Sequence, residues 1–402
     1  MKRRSFVKHA GVLAGGLLLH EQLLSAYGTR LTAGKISVGV IGCGDRGKGI
    51  ISMMTEMEDK FSVKAVCDVL DMRMNEVRRY DSGSSLAFYK DYRKLLDDKT
   101  IEAVVIATPL NLHHVMAVDA LKAGKHIYLE KTMTYNSQQA LGLVKLAKQY
   151  DKQVLQVGHQ YRYTPLYFKV KEMIQKDYLG KVTQIECRWD RNASWRRPVP
   201  NGYLDRQVNW RMYKEYSGGL AAELLSHQID FVNWAFDTHP DEIMATGGID
   251  FYKDGRETFD NVQALLRYKT NGMIGSFGAT CANEREGYLF KLKGSKGTVS
   301  LLTDEGLFYP EAKAKKDLAI VDGVTGATRI EQNKDGGIPI MKEKGKDGTW
   351  YALQEFYKTV TEHSTPVSNV LTGARTAICV DLINKSSYNT TIEKWRPEFN
   401  VT

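Results

Sequence analysis

The stretch Lys35–Gly47 (KISVGVIGCGDRG) decides the fold. Lys35–Ile41 alternates short apolar residues and runs into glycine, the pattern of a buried strand. Gly42-Cys43-Gly44-Asp45-Arg46-Gly47 then reads G-x-G-x-x-G, and a helical pattern continues to about Glu58. Between a strand and a helix, each glycine has its own task. The first permits a tight turn, the second lets backbone approach a pyrophosphate, and the third lets helix and strand pack closely. The helix N-terminus offers unpaired N–H groups to the same phosphates. Asp68 closes the second predicted strand, Phe61–Asp68, 21 residues after Gly47. A carboxylate there accepts from ribose hydroxyls. It would repel a 2′-phosphate, which favours NAD over NADP, although Arg73 lies near in sequence. Gly42, Gly44, Asp45, Arg46, Gly47 and Asp68 are therefore the first predicted dinucleotide ligands.

Working outward, the pattern alternates. Leu86–Tyr89, Ile101–Thr108, His126–Glu130 and Val154–Val157 read as strands, with Leu112–Lys122 and Ser137–Tyr150 as helices between them. Such alternation implies crossover units and a parallel sheet. After Gly158 it changes. Helix Pro165–Lys176 leads to strand Val182–Trp189, a polar and aromatic stretch Asp190–Tyr216, and a helix over Leu220–Phe236. Strand-like runs follow at Ile243–Tyr252, Val262–Tyr268, Met273–Ala279, Leu289–Lys293 and Thr298–Leu302, with turn signals at Asn271-Gly272 and Gly294–Gly297. Residues 322–348 read as an exposed loop, and helices Trp350–His363 and Asn369–Lys385 close the chain. The predicted fold class is α/β: a Rossmann domain over 35–158 and an α+β domain with a large mixed or antiparallel sheet over 159–402.

The 402 residues, 43% hydrophobic and 26% charged, suit two or three globular domains and exclude wholesale disorder or a multi-span membrane protein. The net charge of +9 invites a nucleic-acid reading. Lys2, Arg3, Arg4 and Lys8 against Glu21 supply +3 of it within the first 26 residues. The remainder is dispersed without a basic block, so no nucleic-acid partner is expected. Basic residues, the short apolar run Ala10–Leu19 and small residues at Ser25, Ala26 and Gly28 follow the order of a secretory signal. Arg3-Arg4-Ser5-Phe6-Val7-Lys8 resembles a twin-arginine signal, which exports folded proteins. The expectation is a signal over 1–28, periplasmic location and no membrane span after processing. Five dispersed cysteines form neither a disulfide framework nor a metal site, and no metal is expected.

In open α/β sheets the ligand lies beyond the carboxyl ends of the strands. Thr108-Pro109-Leu110-Asn111-Leu112-His113 and Glu130-Lys131 occupy such ends. A lysine at that place can hydrogen-bond a substrate hydroxyl and help carry its proton. Ala107–Thr132 (ATPLNLHHVMAVDALKAGKHIYLEKT) resembles the glucose–fructose oxidoreductase, inositol dehydrogenase and rhizopine-catabolism family, Gfo/Idh/MocA. Members tend to read T-P-x-x-x-H, A-L-x-A-G-K-H and E-K-P. Here Thr132 replaces the usual proline. The resemblance implies cofactor contacts by Thr108, Pro109, Asn111, His113, Glu130 and Lys131, and a homo-oligomer, dimer or tetramer, built through the second sheet.

Gly218-Gly219 precedes Glu223 and His227, which share one face of an α-helix, with Asp230 three residues on. Histidine beside a carboxylate is an acid–base unit near neutral pH. The family's segment reads Asp-x-x-x-His, so Glu223 stands in for aspartate. Lys131, His227 and Glu223 are the candidate catalytic residues. Arg162, within Gly158–Thr164 (GHQYRYT), together with Asp190, Asn192, Trp195, Trp210 and His227, forms the candidate substrate set, with Arg196 beside it. The expected function is NAD-dependent oxidation of a hydroxyl on a sugar, polyol or glycoside, with hydride returned to a second carbonyl compound or to the same substrate. A retained-NAD glycosidase of the family 109 type is the alternative, disfavoured because no His-Gly-x-Gly segment is present. A non-catalytic dinucleotide-binding protein is the third reading, opposed by Lys131 and His227 occurring together.

Overall fold

The short apolar runs pair as their patterning dictates. In the computed structural model, which describes residues 34–80, 86–302, 305–312 and 335–401, two sheets form. The first holds β1 (Ile36–Ile41), β2 (Phe61–Cys67), β3 (Ala87–Tyr89), β4 (Ala103–Ile106), β5 (His126–Leu129) and β6 (Leu155–Val157). Every pairing is parallel, and the order is β3-β2-β1-β4-β5-β6. A parallel sheet is covered on both faces, which is why all four residues of β4 are buried. The order reverses between β1 and β4, where the loops leaving the two strands diverge and open a crevice for ligand.

The second sheet holds β7 (Val182–Trp189), β8 (Glu242–Gly248), β9 (Asn261–Tyr268), β10 (Met273–Thr280), β11 (Tyr288–Gly294), β12 (Gly297–Leu301), β13 (Gly306–Pro310), β14 (Ile338–Pro339) and β15 (Ile392–Lys394). Its order is β14-β13-β12-β11-β7-β10-β9-β8-β15. Only β7 and β10 run parallel, so the sheet is mixed, as expected. Gly272 turns β9 into β10 with a φ of 67°, a value that glycine adopts without penalty. Alternation puts one face inward. Val262, Ala264 and Leu266 are buried, while Leu265, Met244 and Ile274 on the outer face are 45%, 45% and 46% exposed.

The last two long helices interlock the layers. Gly348–Glu362 buries Ala352, Leu353, Phe356 and Val360 against Val38, Val40, Val105 and Tyr128 of the first sheet. Val370–Asn389 packs on both Ser137–Ala147 and β8. Chain beyond residue 159 thus completes the first layer, and Ile36–Thr402 forms one compact unit. The five cysteines are buried and free. The two-residue β14 lies within the 322–348 stretch expected to be loop, of which residues 322–334 are outside the described residues. The export signal also lies outside them.

A buried ion pair fastens the segment after β6 to the helix Ser226–Ala235. Arg162 Nε and Nη2 donate to the two oxygens of Asp230 at 2.7 and 2.8 Å, Thr376 Oγ1 adds a third donor at 2.9 Å, and Arg162 and Asp230 are 1% and 0% exposed. Removing one partner strands the other charge, which costs about 3–5 kcal/mol. Arg162→Met should lower the unfolding free energy by about that amount in a urea titration. A loss below about 1 kcal/mol would show that the pair is dispensable.

Candidate active site

The glycine loop has the geometry its sequence predicts. Gly42 has φ 96°, and a Cβ there would meet Ala107 O at 2.4 Å. A Cβ on Gly47 would lie 1.8 Å from Gly42 O, so the helix Asp45–Glu56 rests directly on the loop. Nothing lies within 4 Å of where a Gly44 Cβ would project. No side chain caps that helix, which leaves its first N–H groups for an anion. Asp68 braces the loop from β2: Oδ2 accepts from Cys43 N at 2.7 Å and Oδ1 from Leu70 N at 2.9 Å. Burial pushes its carboxyl up, while the two N–H groups pull it back.

The opposite wall follows β4. Pro109 precedes the helix Leu110–Lys122, and Asn111 Oδ1 is buried there without a partner. His113 is buried, with Nδ1 2.9 Å from Thr132 O and Nε2 3.0 Å from Thr108 O. It buttresses the wall and is not open to a cofactor. Arg46 and Glu130 also depart from the expected roles. Arg46 Nε donates to Glu130 Oε1 at 2.7 Å and Nη1 to Thr349 Oγ1 at 2.9 Å, while Glu130 Oε2 accepts from Lys131 N at 3.3 Å. The two predicted ligands thus bind each other, and Arg46 Nη2 stays buried without a partner. Asp45 lies among Arg197, Lys48 and Arg73, which hold its carboxyl low against the effect of burial. The cradle at Gly44, the unpartnered Asn111 oxygen and Asp68 at the β2 end fit a dinucleotide.

Lys131 reaches the other half of the site. The expected helix over Leu220–Phe236 starts as a π-wound turn, Ala221–Leu225, before the α-helix Ser226–Ala235. A π turn uses i→i+5 bonds in place of the i→i+4 bonds of an α-helix. The Ala222 and Glu223 carbonyls accept from Lys131 Nζ at 3.1 and 3.0 Å. Glu223 Oε2 accepts from Arg211 Nε at 2.8 Å. The Glu223 carboxylate thus pairs with Arg211 and not with His227. His227 lies instead against the rings of Tyr161 and Trp189, at centroid distances of 5.2 and 5.3 Å, and its Nδ1 is buried without a partner. Burial drives His227 well below the ordinary histidine value, and the Lys131 charge adds to this. Burial likewise lowers Lys131. Burial would raise Glu223, but Arg211 and Lys131 outweigh it and keep the carboxyl low.

The substrate candidates separate. Trp195 lines a small crevice of about 10 Å³ with Arg211, Glu223, Arg256, Phe259 and Cys281. Trp210 lies under the Arg211 guanidinium at 4.3 Å. Arg162 is withdrawn into its pair with Asp230, where it is 1% exposed, and its Nη1 donates to Val367 O at 3.4 Å. Asp190 Oδ1 accepts from Thr280 N at 3.2 Å, and Asn192 pairs with Ala282, so both serve the end of β10. Arg196 is bound to Asp205 and Asp254. Sequence reasoning missed Tyr161, Trp189 and Arg211. Trp189 ends β7 and Tyr161 follows β6, and strand-end position was the signal available. Arg211 is marked only by adjacency to Trp210. Among the described residues, no group of His, Cys, Asp or Glu could hold a metal ion, and no helix is long and apolar enough to cross a membrane.

Comparison with known proteins agrees with this geometry. Residues 36–159 match the oxidoreductase family with an NAD-binding Rossmann fold, and residues 167–300 match the GFO/IDH/MocA C-terminal domain. The chain belongs to the Gfo/Idh/MocA family. Myo-inositol 2-dehydrogenase of Thermotoga maritima is 26% identical over 285 residues, 67% of this chain and 78% of that protein. Levoglucosan dehydrogenase of Pseudarthrobacter phenanthrenivorans is 29% identical over 233 residues, 52% of this chain and 57% of that protein. A levoglucosan dehydrogenase structure in complex with NADH and levoglucosan shares the fold, with TM-score 0.71, 22% identity and coverage of 90% and 99% of the two chains. The chain spans about half the length of several curated relatives it matches.

As a Gfo/Idh/MocA protein the chain departs from the usual residues in two places that meet at one turn. Thr132 follows Lys131 across a cis peptide bond, and Glu223 lies in the π-wound turn. The open side of Gly44 generates a prediction. Gly44→Val fills the cradle without meeting a neighbour, at a φ of −67° that valine tolerates. It should keep thermal stability within a few degrees yet weaken NADH binding at least tenfold by fluorescence titration, about 1.4 kcal/mol. Unchanged affinity would place the pyrophosphate elsewhere.

Proposed function

We propose that the protein is an NAD-dependent oxidoreductase that oxidises a hydroxyl of a sugar, polyol or glycoside. The observation that carries this is that Lys131, just beyond β5 of the first sheet, binds the turn ahead of His227 and is near enough for its charge to act on that ring. The nicotinamide, when bound, accepts the hydride. An ammonium has three donors, and Lys131 spends two on Ala222 O and Glu223 O, which leaves one for the substrate oxygen. Neutral His227, with no partner at Nδ1, takes the hydroxyl proton. Trp189, whose ring lies against His227, offers an apolar face to sugar C–H surfaces. Asp68, with Arg73 drawn towards Asp45 and Glu76 at 3.8 and 3.7 Å, supports NAD as the cofactor.

The reading includes export with the cofactor already in place, because free NAD is scarce outside the cytoplasm. A strap from the second half of the chain supports retention. Arg197 pairs with Asp45 at the start of the glycine-loop helix, and Tyr203 Oη accepts from Met72 N at 3.1 Å. The half-exposed Met244, Leu265 and Ile274 support a homo-oligomer formed through the outer face of the second sheet.

Denatured purified protein should release about one equivalent of nicotinamide cofactor, and an empty protein without NAD affinity would refute the reading. Incubation with plain and nitrophenyl glycosides should yield a keto product. Release of free aglycone without net redox would assign glycoside hydrolysis instead. His227→Ala should lower kcat by on the order of 10²–10⁴ with cofactor still bound; full activity would remove it as the base. The low-lying His227 stays neutral through the usual histidine range, so kcat/KM should not fall as pH drops from about 7.5 to about 6.5. An acid limb centred near 6.5 that vanishes in His227→Ala would contradict that.

A further inference from the structure

Thr132 occupies the place where family members tend to carry proline, and what it adds is a hydroxyl. Thr132 Oγ1 donates to Ala222 O at 3.2 Å. The same carbonyl takes Lys131 Nζ at 3.1 Å and Ser226 Oγ at 2.6 Å. A carbonyl oxygen has two lone pairs, so three donors compete for it. The Thr132 carbonyl, in turn, faces His113 Nδ1 at 2.9 Å, and the other ring nitrogen of His113 lies 3.0 Å from Thr108 O. Thr132 is 1% exposed and His113 2%, so these bonds form away from competing water. Thr132 therefore links the two sides of the site: its carbonyl meets His113 next to Thr108, and its hydroxyl meets the π-wound turn ahead of His227.

We infer that Thr132 is a positioning residue whose hydroxyl, by sharing the Ala222 carbonyl, limits how firmly the Lys131 ammonium is tied to the turn and keeps it available to substrate. A proline at this position would leave the carbonyl to Lys131 and Ser226 alone, and the lysine would be held closer. The inference rests on Lys131 being the group that meets the substrate oxygen. The charged groups around Lys131 are Glu223 and Glu130, which favour its proton, and Arg211 and Arg46, which oppose it. His227 faces it from the following helix. None of these changes when only the Thr132 hydroxyl is removed.

The test uses Thr132→Val, which keeps the shape and removes the donor, and Thr132→Ser, which restores it. Competitive labelling of full-length protein with acetic anhydride across pH, read by peptide mass spectrometry, reports how Lys131 titrates and needs no substrate. In T132V the ammonium gains a larger share of the carbonyl. Lys131 labelling below its midpoint should therefore fall about threefold to tenfold, the scale of one shared hydrogen bond. T132S should label as wild type. On a hydroxyl substrate that the wild type oxidises, kcat of T132V should fall by a similar factor with KM and NADH affinity unchanged, and T132S should recover it. Wild-type labelling in T132V overturns the inference, as does a loss that T132S fails to restore, since packing alone would then explain it. If T132V does not fold, Thr132→Ala removes the same donor and is judged by the same outcomes. Lys131→Ala with full activity would instead refute the role of Lys131 in the proposed reaction, a result separate from the labelling.

Discussion

The Arg162–Asp230 pair sets the spacing on which the rest of the site depends. Asp230 lies three residues after His227 on one helix, and Arg162 lies on the short turn Gln160–Tyr163 that leaves the first sheet. With both oxygens of Asp230 held by the guanidinium, that helix is fixed relative to the strand ends that carry Lys131. His159 Nδ1 lies 3.3 Å from Asp230, and burial pushes that imidazole down to about 4. The junction thus contains one full positive and one full negative charge, with a neutral ring beside them. A buried pair of this kind adds little net stability over an apolar substitute. What it supplies here is register between two layers that otherwise meet through apolar packing.

Charges nearer the cleft are paired in the same way. Arg46 answers Glu130 and Arg211 answers Glu223, so both carboxylates beside Lys131 already have a cation. This leaves the lysine held by two neutral carbonyls. A carbonyl holds an ammonium less strongly than a carboxylate does, and burial further disfavours the charged form. The π-wound turn is what makes those carbonyls available, since its i→i+5 pattern departs from the regular α ladder.

Much of this was legible in the sequence because it is local. The three glycines, Asp68 and the alternating runs each declare themselves within a few residues, and the structure gives Gly42, Gly44 and Gly47 the separate tasks that spacing assigns. Several other features were not legible, for physical reasons. Arg46 and Glu130 are 84 positions apart, and nothing local says that two plausible ligands will satisfy each other. The helix Gly348–Glu362 has the pattern of any amphipathic helix, which does not specify the sheet it covers. The edge strands β14 and β15 are only two and three residues long. The α and π windings of Ala221–Leu225 present the same apolar residues, and only the tertiary donors Lys131, Thr132 and Ser226 distinguish them.

Glu223, where the resemblance to the family puts aspartate, lies in that turn. On a regular helix the extra methylene would bring a carboxylate near His227 and raise the affinity of the ring for a proton. Here the carboxylate goes to Arg211, beside Trp210; burial lowers His227 most, and the Lys131 and Arg46 charges also oppose its protonation. The ring is therefore neutral over a wide pH range, without an anionic partner to orient it. Orientation comes instead from Tyr161 and Trp189, which stack on each other at 6.3 Å and both lie against the imidazole. Tyr161 is itself stacked on Tyr167 at 4.4 Å, so the aromatic cluster positions His227 by packing where a hydrogen-bonded carboxylate would otherwise be needed.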